Sequence, residues 1–203
     1  MQCTFLALGD SYTIGEGVPS AECWPVQLVL RLRNEGVDID APRIVARTGW
    51  TTDELSVAMD AETFDPPYAL VTLLIGVNNQ YRGRSLDEYR TQFRTLLQRA
   101  IVLAGGKASH VVVVSIPDWG VTPLARDENR DATEVADQID DFNAAACAQI
   151  ETLGVRWVDV TTISRMARRR SELAADGLHP SGAQYARWVE AILPVVRTAM
   201  GLE

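Results

Sequence analysis

Short hydrophobic runs recur along the chain and are separated by longer amphipathic segments. The runs have the length of strands and show little polar alternation, which is typical of strands buried on both faces of a parallel sheet. They cover residues 5–8, 44–46, 70–75, 111–116 and 155–158. The pattern therefore predicts five strands, several of them buried on both faces of the sheet.

The segments between these runs repeat their hydrophobic residues with a period of about 3.6, as a helix that packs by one face does. The clearest examples are residues 86–104 and 135–153. Alternation of buried strands with amphipathic helices predicts right-handed βαβ units and a three-layer α/β/α sandwich. The length of 203 residues suits a single domain, 1–203.

Several helix starts carry the capping-box pattern, in which a hydroxyl and a Glu or Gln three residues later satisfy free backbone N–H groups. The pairs are Thr51 with Glu54, Ser85 with Glu88, and Ser181 with Gln184. The last pair predicts the start of a C-terminal helix. We expect Pro194 to end or kink that helix, because proline lacks the N–H group that the helix needs.

Charge and composition exclude several classes of protein. The chain has 19 Lys plus Arg against 27 Asp plus Glu, a net charge of −8, which counts against binding of nucleic acid or anionic membranes. Three widely spaced cysteines without a CxxC pair indicate neither a disulfide framework nor a metal site.

No hydrophobic run approaches the roughly 20 residues of a membrane span. The N-terminus lacks the basic stretch of a signal peptide, so we expect a cytoplasmic protein. The negative net charge favours a small-molecule partner. The oligomeric state stays open.

Polar or glycine-containing clusters follow the predicted strands or precede the last helix. They are Gly9-Asp10-Ser11, Thr48-Gly49-Trp50, Gly76-Val77-Asn78-Asn79 and Asp176-Gly177-Leu178-His179-Pro180. Each cluster alone is also a common turn or helix cap. Because ligands of parallel α/β sheets bind beyond the carboxyl ends of the strands, we expect the four clusters to converge at that edge.

Together the clusters contain the groups that acyl transfer needs. Ser11, at a strand-to-helix turn, is the candidate nucleophile, and His179 is the candidate base that removes its proton. Asp176, three residues earlier, can fix the tautomer of the imidazole. The backbone N–H groups of Ser11 and Gly49 and the side-chain amide of Asn78 are candidate donors to an oxyanion. The predicted chemistry needs no metal and no organic cofactor.

These blocks, in this order, resemble those of the SGNH or GDSL-type esterase and lipase family. They span residues 9–179. The resemblance implies a serine hydrolase with Ser11 as nucleophile, Asp176 and His179 completing a triad, and Gly49 and Asn78 as oxyanion donors. It also implies a flavodoxin-like sheet with the strand order 2-1-3-4-5.

Two residues depart from the pattern of the family. Tyr12 stands where leucine is usual in the nucleophile block, and Asn79 stands where aspartate usually follows the asparagine. Neither position has an assigned role in proton transfer, so the departures bear on the subfamily rather than on the mechanism. We interpret Asp10, beside the nucleophile, as an organiser of the loop that accepts backbone N–H bonds.

Aromatic residues and two polar segments leave alternatives open. Trp50, Tyr81 and Trp119 follow strands on the same edge and are candidates for lining a substrate pocket, although aromatic residues also pack helices onto sheets. Residues 117–132 form either a lid or an exposed loop. The arginine cluster Arg165, Arg168, Arg169 and Arg170 either attracts an anionic substrate or, as we favour, covers a solvated helix face.

The leading hypothesis is a serine esterase that hydrolyses carboxylic esters with short to medium acyl groups through an acyl-serine intermediate. Acetylated carbohydrates or other acylated metabolites fit this chemistry. The alternatives are an acyltransferase, a thioesterase or a lysophospholipase with the same residues, or a non-catalytic flavodoxin-like module that binds a nucleotide or a protein. The absence of a GxGxxG or Walker loop after the first strand counts against binding of a dinucleotide.

Overall fold

The computed structural model describes residues 3–166 and 170–202. The strands are Phe5–Asp10 (β1), Arg43–Arg47 (β2), Leu70–Leu74 (β3), Val111–Val114 (β4) and Arg156–Val158 (β5). The helices are Ser11–Ile14 (α1), Trp24–Asn34 (α2), Thr52–Ala61 (α3), Val77–Tyr81 (α4), Leu86–Leu103 (α5), Pro123–Asp127 (α6), Ala132–Leu153 (α7), Thr161–Met166 (α8) and Gly182–Met200 (α9). Of the arginine cluster, Arg168, Arg169 and the side chain of Arg170 lie outside the described residues.

The strands form one parallel sheet in the order β2-β1-β3-β4-β5, which confirms the predicted order. The chain runs from β1 outward to β2 and then crosses back to β3 on the other side of β1. The loops after β1 and β3 therefore diverge at the carboxyl edge of the sheet. This divergence opens the crevice in which parallel α/β proteins bind their ligands.

Helices cover both faces of the sheet, as the hydrophobic runs predict. Every residue of β1, β3 and β4 is buried. Helix α9 packs against α2 and contacts β3, β4 and β5, whereas α5 contacts β3 and lies between α3 and α7. Fully buried residues such as Leu6 and Leu96 each contribute roughly 1.5–3 kcal/mol to the stability of this core.

Of the three predicted capping boxes, only the first forms completely. The Glu54 carboxylate accepts a hydrogen bond from the Thr51 N–H at 2.9 Å. The Ser85 hydroxyl accepts from the N–H of Glu88 at 3.2 Å, but the carboxylate of Glu88 pairs with an arginine instead of returning to the cap. A guanidinium is the stronger partner because its bond to a carboxylate is assisted by charge. The pair at Ser181 also makes only the hydroxyl bond.

The sequence predicts that Pro194 ends or kinks helix α9; the helix does not end there and continues to Met200. A proline in the helix interior costs about 3 kcal/mol because it removes one hydrogen bond and crowds the preceding turn. Ile192 and Val196, on either side of the proline, are fully buried in the core. Packing of this apolar face outweighs the local preference of proline.

A buried side chain fixes the loop that follows β4. Asn143 of α7 accepts a hydrogen bond from the Ile116 N–H at 2.9 Å and donates to the Ile116 carbonyl at 3.2 Å. The same amide group donates to the hydroxyl of Thr161 at 3.0 Å. The loop that carries Trp119 therefore leaves the sheet from an anchored position.

We expect Asn143→Ala to lower the free energy of unfolding by about 1–3 kcal/mol, because the Ile116 N–H would remain buried without a partner. The Ile116 carbonyl would keep its bond from the Thr161 hydroxyl at 2.7 Å. Urea denaturation followed by tryptophan fluorescence measures this loss. Thr152→Ala, on an exposed position of the same helix, is the matched control and should change stability by less than about 0.5 kcal/mol. Equal stability of the two variants would contradict the anchoring role.

Candidate active site

Ser11 is presented by a sharp turn from β1 into the short helix α1. Asp10 caps the helix, with its Oδ1 accepting the N–H of Tyr12 at 3.0 Å. Gly9 permits the turn because a Cβ at this position would lie 2.5 Å from the carbonyl oxygen of Leu74. The turn thus places a serine at the first position of a helix, at the carboxyl edge of the sheet.

Ser11, His179 and Asp176 form a continuous chain of hydrogen bonds. The Nε2 atom of His179 lies 3.0 Å from the Oγ of Ser11, and its Nδ1 atom lies 2.7 Å from the Oδ2 of Asp176. The other oxygen of Asp176 accepts the backbone N–H groups of Leu178 at 2.9 Å and His179 at 3.0 Å. The structure therefore brings together the three side chains that the sequence analysis singled out, although 168 positions separate Ser11 from His179.

Electrostatics orient the imidazole within this chain. Burial raises the pKa of Asp176, but the hydrogen bonds from the His179 ring and from the two backbone N–H groups outweigh burial and lower the pKa below its ordinary value. An ionised carboxylate accepts the Nδ1–H of the imidazole. The tautomer that remains has Nε2 free to accept the proton of Ser11.

The residues that depart from the family pattern have clear structural roles. The ring of Tyr12 is buried between His179, at 5.2 Å between centroids, and Trp188, at 6.2 Å. The amide of Asn79 accepts the N–H of Thr52 at 3.1 Å and donates to its hydroxyl at 2.8 Å. An ionised aspartate could not donate to that hydroxyl, so the amide suits this contact.

The candidate oxyanion donors lie on neighbouring loops. One N–H of the Asn78 amide donates to the carbonyl of Trp50 at 3.0 Å, which leaves its second N–H for a ligand. Gly49 occupies the third position of a turn closed by the Trp50 N–H and the Arg47 carbonyl, and its φ of 84° favours glycine. Gly49 is not among the residues that form the cavity wall; the Trp50 carbonyl links its loop to Asn78.

A cavity of about 220 Å³ opens directly onto Ser11 and His179. Its remaining walls are mainly apolar and consist of Tyr12, Val77, Asn78, Tyr81, Trp119, Leu124 and Leu178. The rings of Tyr81 and Trp119 meet edge to face at 5.3 Å. The Trp119 Nε1–H donates to the side chain of Gln80 at 2.8 Å, which fixes the indole as a wall of the cavity.

Trp50 does not line this cavity, contrary to the expectation from the sequence. Its carbonyl faces Asn78, and its side chain lines a separate surface groove with Val57 and Ala61 of α3. The turn that ends at Trp50 directs the backbone, rather than the indole, toward the site. Sequence position after a strand therefore did not determine the direction of the side chain.

Residues 117–125 are buried or half-buried and contribute to the wall of the cavity, whereas residues 126–132 are exposed. Trp119 is buried, and Leu124 of α6 lines the cavity. The Tyr81 hydroxyl donates to the Glu128 carboxylate at 2.9 Å, and the Arg130 guanidinium lies over the Tyr81 ring at 5.4 Å. Sequence reasoning missed Leu124; its apolar side chain within a polar segment was the available signal.

Asp10 is fully buried beside Ser11, and its Oδ2 has no hydrogen-bond partner among the described residues. Burial raises the pKa of Asp10 to about 7, although the bond from the Tyr12 N–H opposes the increase. The folded protein therefore holds this proton more tightly than the unfolded chain does. The stabilisation is fully present below the pKa of the unfolded chain, at about 4, and is lost as the pH rises through 7.

Asp10→Asn keeps the oxygen that accepts the Tyr12 N–H and cannot ionise. We expect its free energy of unfolding, relative to the wild type, to increase by about 2–4 kcal/mol between pH 4 and pH 8. Urea titrations across this range measure the difference. Asp127→Asn, at an exposed position of α6, controls for the loss of one negative charge. A difference that does not vary with pH would contradict the buried-carboxyl interpretation.

Three further structural features concern metal binding, membrane spans and cysteines. In residues 3–166 and 170–202, no group of three or more histidine, cysteine or acidic side chains is arranged to hold a metal ion. No helix within the same ranges is long and apolar enough to cross a membrane. The three cysteines are free, and only Cys23 is fully buried.

A parallel α/β sheet with a Ser–His–Asp chain of hydrogen bonds at its carboxyl edge is typical of serine hydrolases. The chain belongs to the GDSL-like lipase/acylhydrolase family, whose model matches residues 7–187. Members of this family are ester hydrolases, and the protein is an esterase or acylhydrolase of this type.

Solved structures share the fold at low sequence identity. TesA is 21% identical, with a TM-score of 0.77 over 97% of this chain and 99% of TesA. The psychrotrophic esterase EstA from Pseudoalteromonas sp., solved with monoethylphosphonate as inhibitor, is 17% identical, with a TM-score of 0.73 over 98% of both chains. A mutant of Axe2, an acetyl-xylooligosaccharide esterase from a Geobacillus, is 19% identical, with a TM-score of 0.72 over 97% of this chain and 95% of Axe2. A search of curated proteins found no match.

Proposed function

We propose that this protein hydrolyses carboxylic esters with short to medium acyl groups, with Ser11 as nucleophile, His179 as general base and acid, and Asp176 as the residue that orients the imidazole. The observation that carries the proposal is the chain of hydrogen bonds from Ser11 through His179 to Asp176, at the wall of an apolar cavity. A binding module has no need of a serine hydroxyl aligned with an imidazole in this way.

In the proposed reaction, the Ser11 oxygen attacks the carbonyl carbon of the ester while the Nε2 of His179 takes the serine proton. The imidazolium then gives this proton to the leaving alkoxide, and the alcohol departs. Water next attacks the acyl-serine as His179 takes a proton from it. Return of that proton to Ser11 releases the carboxylic acid and restores the free enzyme.

Stabilisation of the oxyanion is assigned to three donors. Ser11 lies at the first position of α1, where the helix leaves the N–H group without an internal partner. The second N–H of the Asn78 amide and the backbone N–H of Gly49 complete the proposed set. Loss of one donor of this type typically lowers turnover by about 10²–10³.

The cavity supports the choice of a small or medium acyl group. Its volume of about 220 Å³ exceeds the roughly 150 Å³ that holds a benzene molecule in an apolar protein cavity. An acyl chain from acetyl to about eight carbons matches this size, and the apolar walls suit its methylene groups. The activity of Axe2, which its name gives as acetyl-xylooligosaccharide esterase, makes acetylated carbohydrates reasonable members of the substrate screen.

Incubation with a fluorophosphonate tests the nucleophile. We expect a single adduct on Ser11 by intact mass and peptide mapping, because only an activated serine attacks the phosphorus at a useful rate. Ser11→Ala should show no adduct, and His179→Ala should be nearly unreactive. Inhibition of EstA by monoethylphosphonate makes this class of reagent a suitable choice.

The same samples provide the control and the contrary outcome. Folded wild-type protein that neither forms the adduct nor hydrolyses p-nitrophenyl esters would favour the non-catalytic binding module. Ser11→Ala protein that retains the activity of the wild type would exclude Ser11 as nucleophile.

Tyr81 tests the limit on acyl length. It is partly exposed at 41%, so truncation should leave the fold intact while lengthening the cavity. We expect Tyr81→Ala to raise the ratio of kcat/KM for dodecanoate to that for octanoate esters by about tenfold, since each methylene that an apolar pocket accommodates is worth about 1–3 kcal/mol.

Tyr81→Phe is the matched control, because it keeps the ring and loses only the hydroxyl that binds Glu128. Its preference for acyl length should stay within about twofold of the wild type. If Tyr81→Ala showed no change, or if Tyr81→Phe showed the same shift, the ring would not limit the acyl pocket.

A further inference from the structure

Arg82, directly after α4, reaches back to the loop that carries Gly49. Its Nη2 donates to the Gly49 carbonyl at 2.6 Å, and its Nη1 lies 3.3 Å from the Oε1 of Glu54. The side chain is 41% exposed, and an exposed ion pair of this kind contributes at most about 1 kcal/mol to stability. The contact between Arg82 and the Gly49 carbonyl therefore adds little to the stability of the fold, and its main effect is to restrain the Gly49 loop.

The Gly49 loop needs external fixation because glycine has no Cβ to restrict its backbone. A glycine adopts positive and negative φ with similar ease, so the φ of 84° at Gly49 is not set by the residue itself. The neighbouring Trp50 is held at its N–H by the Arg47 carbonyl and at its carbonyl by the Asn78 amide. Arg82 supplies the contact to the Gly49 carbonyl.

Arg82 also joins the two segments that carry the proposed oxyanion donors. Its backbone N–H donates to the Asn78 carbonyl at 3.1 Å, while its side chain holds the Gly49 carbonyl. Glu54 closes the network, because its other oxygen accepts the N–H of Thr51 at the start of α3. Arg82 thus fixes the loop that carries Gly49 relative to helix α4, which carries Asn78.

We infer that Arg82 is a positioning residue that holds the Gly49 N–H in the direction required to stabilise the oxyanion. The inference rests on the proposed function, in which Gly49 is an oxyanion donor. Arg82 acts through the loop and does not contact the substrate. Its removal should therefore weaken stabilisation of the transition state and leave binding of the ester in the ground state almost unchanged.

Arg84 offers a matched control in the same loop. It pairs with Asp53 of α3 at 3.7 Å and with Glu88 at 2.9 Å, and it is 33% exposed. Arg84→Ala therefore removes an arginine of the same segment that also pairs with α3, and it leaves the contact to the Gly49 carbonyl in place. Any general effect of lost charge or of looser contact with α3 should appear in both variants.

The experiment compares Arg82→Ala, Arg82→Lys and Arg84→Ala in the full chain. Kinetics are measured with p-nitrophenyl butanoate, and inhibition with a trifluoromethyl ketone, whose tetrahedral serine adduct carries the oxyanion. We expect Arg82→Ala to lower kcat and kcat/KM by the same factor, about 10- to 100-fold, and to raise the inhibition constant by a similar factor. Arg82→Lys should recover part of this loss, and Arg84→Ala should stay within about twofold of the wild type.

Three outcomes would each overturn the inference. Arg84→Ala could lose as much kcat as Arg82→Ala, Arg82→Ala could change KM alone, or the kcat of Arg82→Ala could stay within about threefold of the wild type. Thermal unfolding verifies that each variant folds. If Arg82→Ala fails to fold, the same criteria are applied to Arg82→Lys, for which we expect a smaller loss of kcat.

Ser11→Ala separates the role of Arg82 from the proposed function. Its retained activity would remove the proposed function, whereas an unaffected Arg82→Ala beside an inactive Ser11→Ala would remove only the role of Arg82.

Discussion

The hydrogen bond of 3.0 Å between the Nε2 of His179 and the Oγ of Ser11 is the contact on which the site depends. It joins the end of the first strand to the turn before the last helix, so it exists only when the whole sheet has formed between them. Packing of α9 against α2 and against β3, β4 and β5 brings the histidine to that position. The Asp176 turn then orients the ring, because its carboxylate binds both the backbone and the imidazole.

The loops at the carboxyl edge are held by buried side-chain amides. Asn79 joins α4 to the start of α3, Asn143 anchors the loop after β4, and Gln80 fixes the indole of Trp119. Amides suit this role because each supplies donors and an acceptor without a charge that burial would penalise. The cavity wall is consequently defined by side chains whose partners lie far away in the chain.

The two carboxyl groups near Ser11, those of Asp10 and Asp176, differ in their pKa values. Asp10 is buried to cap the short helix, and burial raises its pKa, whereas Asp176 keeps a lowered pKa because it receives three hydrogen bonds. These two carboxyl groups differ in solvation and in hydrogen-bond donors rather than in chemistry. In the proposed mechanism, Asp176 is the charged partner of the imidazole, and Asp10 only holds the turn. Arg82 performs a comparable holding role for the Gly49 loop.

The sequence alone determined the five strands and the clusters that meet at the edge of the sheet, because buried parallel strands and short polar turns leave local patterns. The order of the strands followed from the family that those clusters resemble. The sequence could not determine the direction of the Trp50 indole, the continuation of α9 through Pro194, or the contact from Arg82 to Gly49. Each of these follows from packing and hydrogen bonds between distant segments. Such contacts outweigh local preference in the folded chain and leave no periodic signal in the sequence.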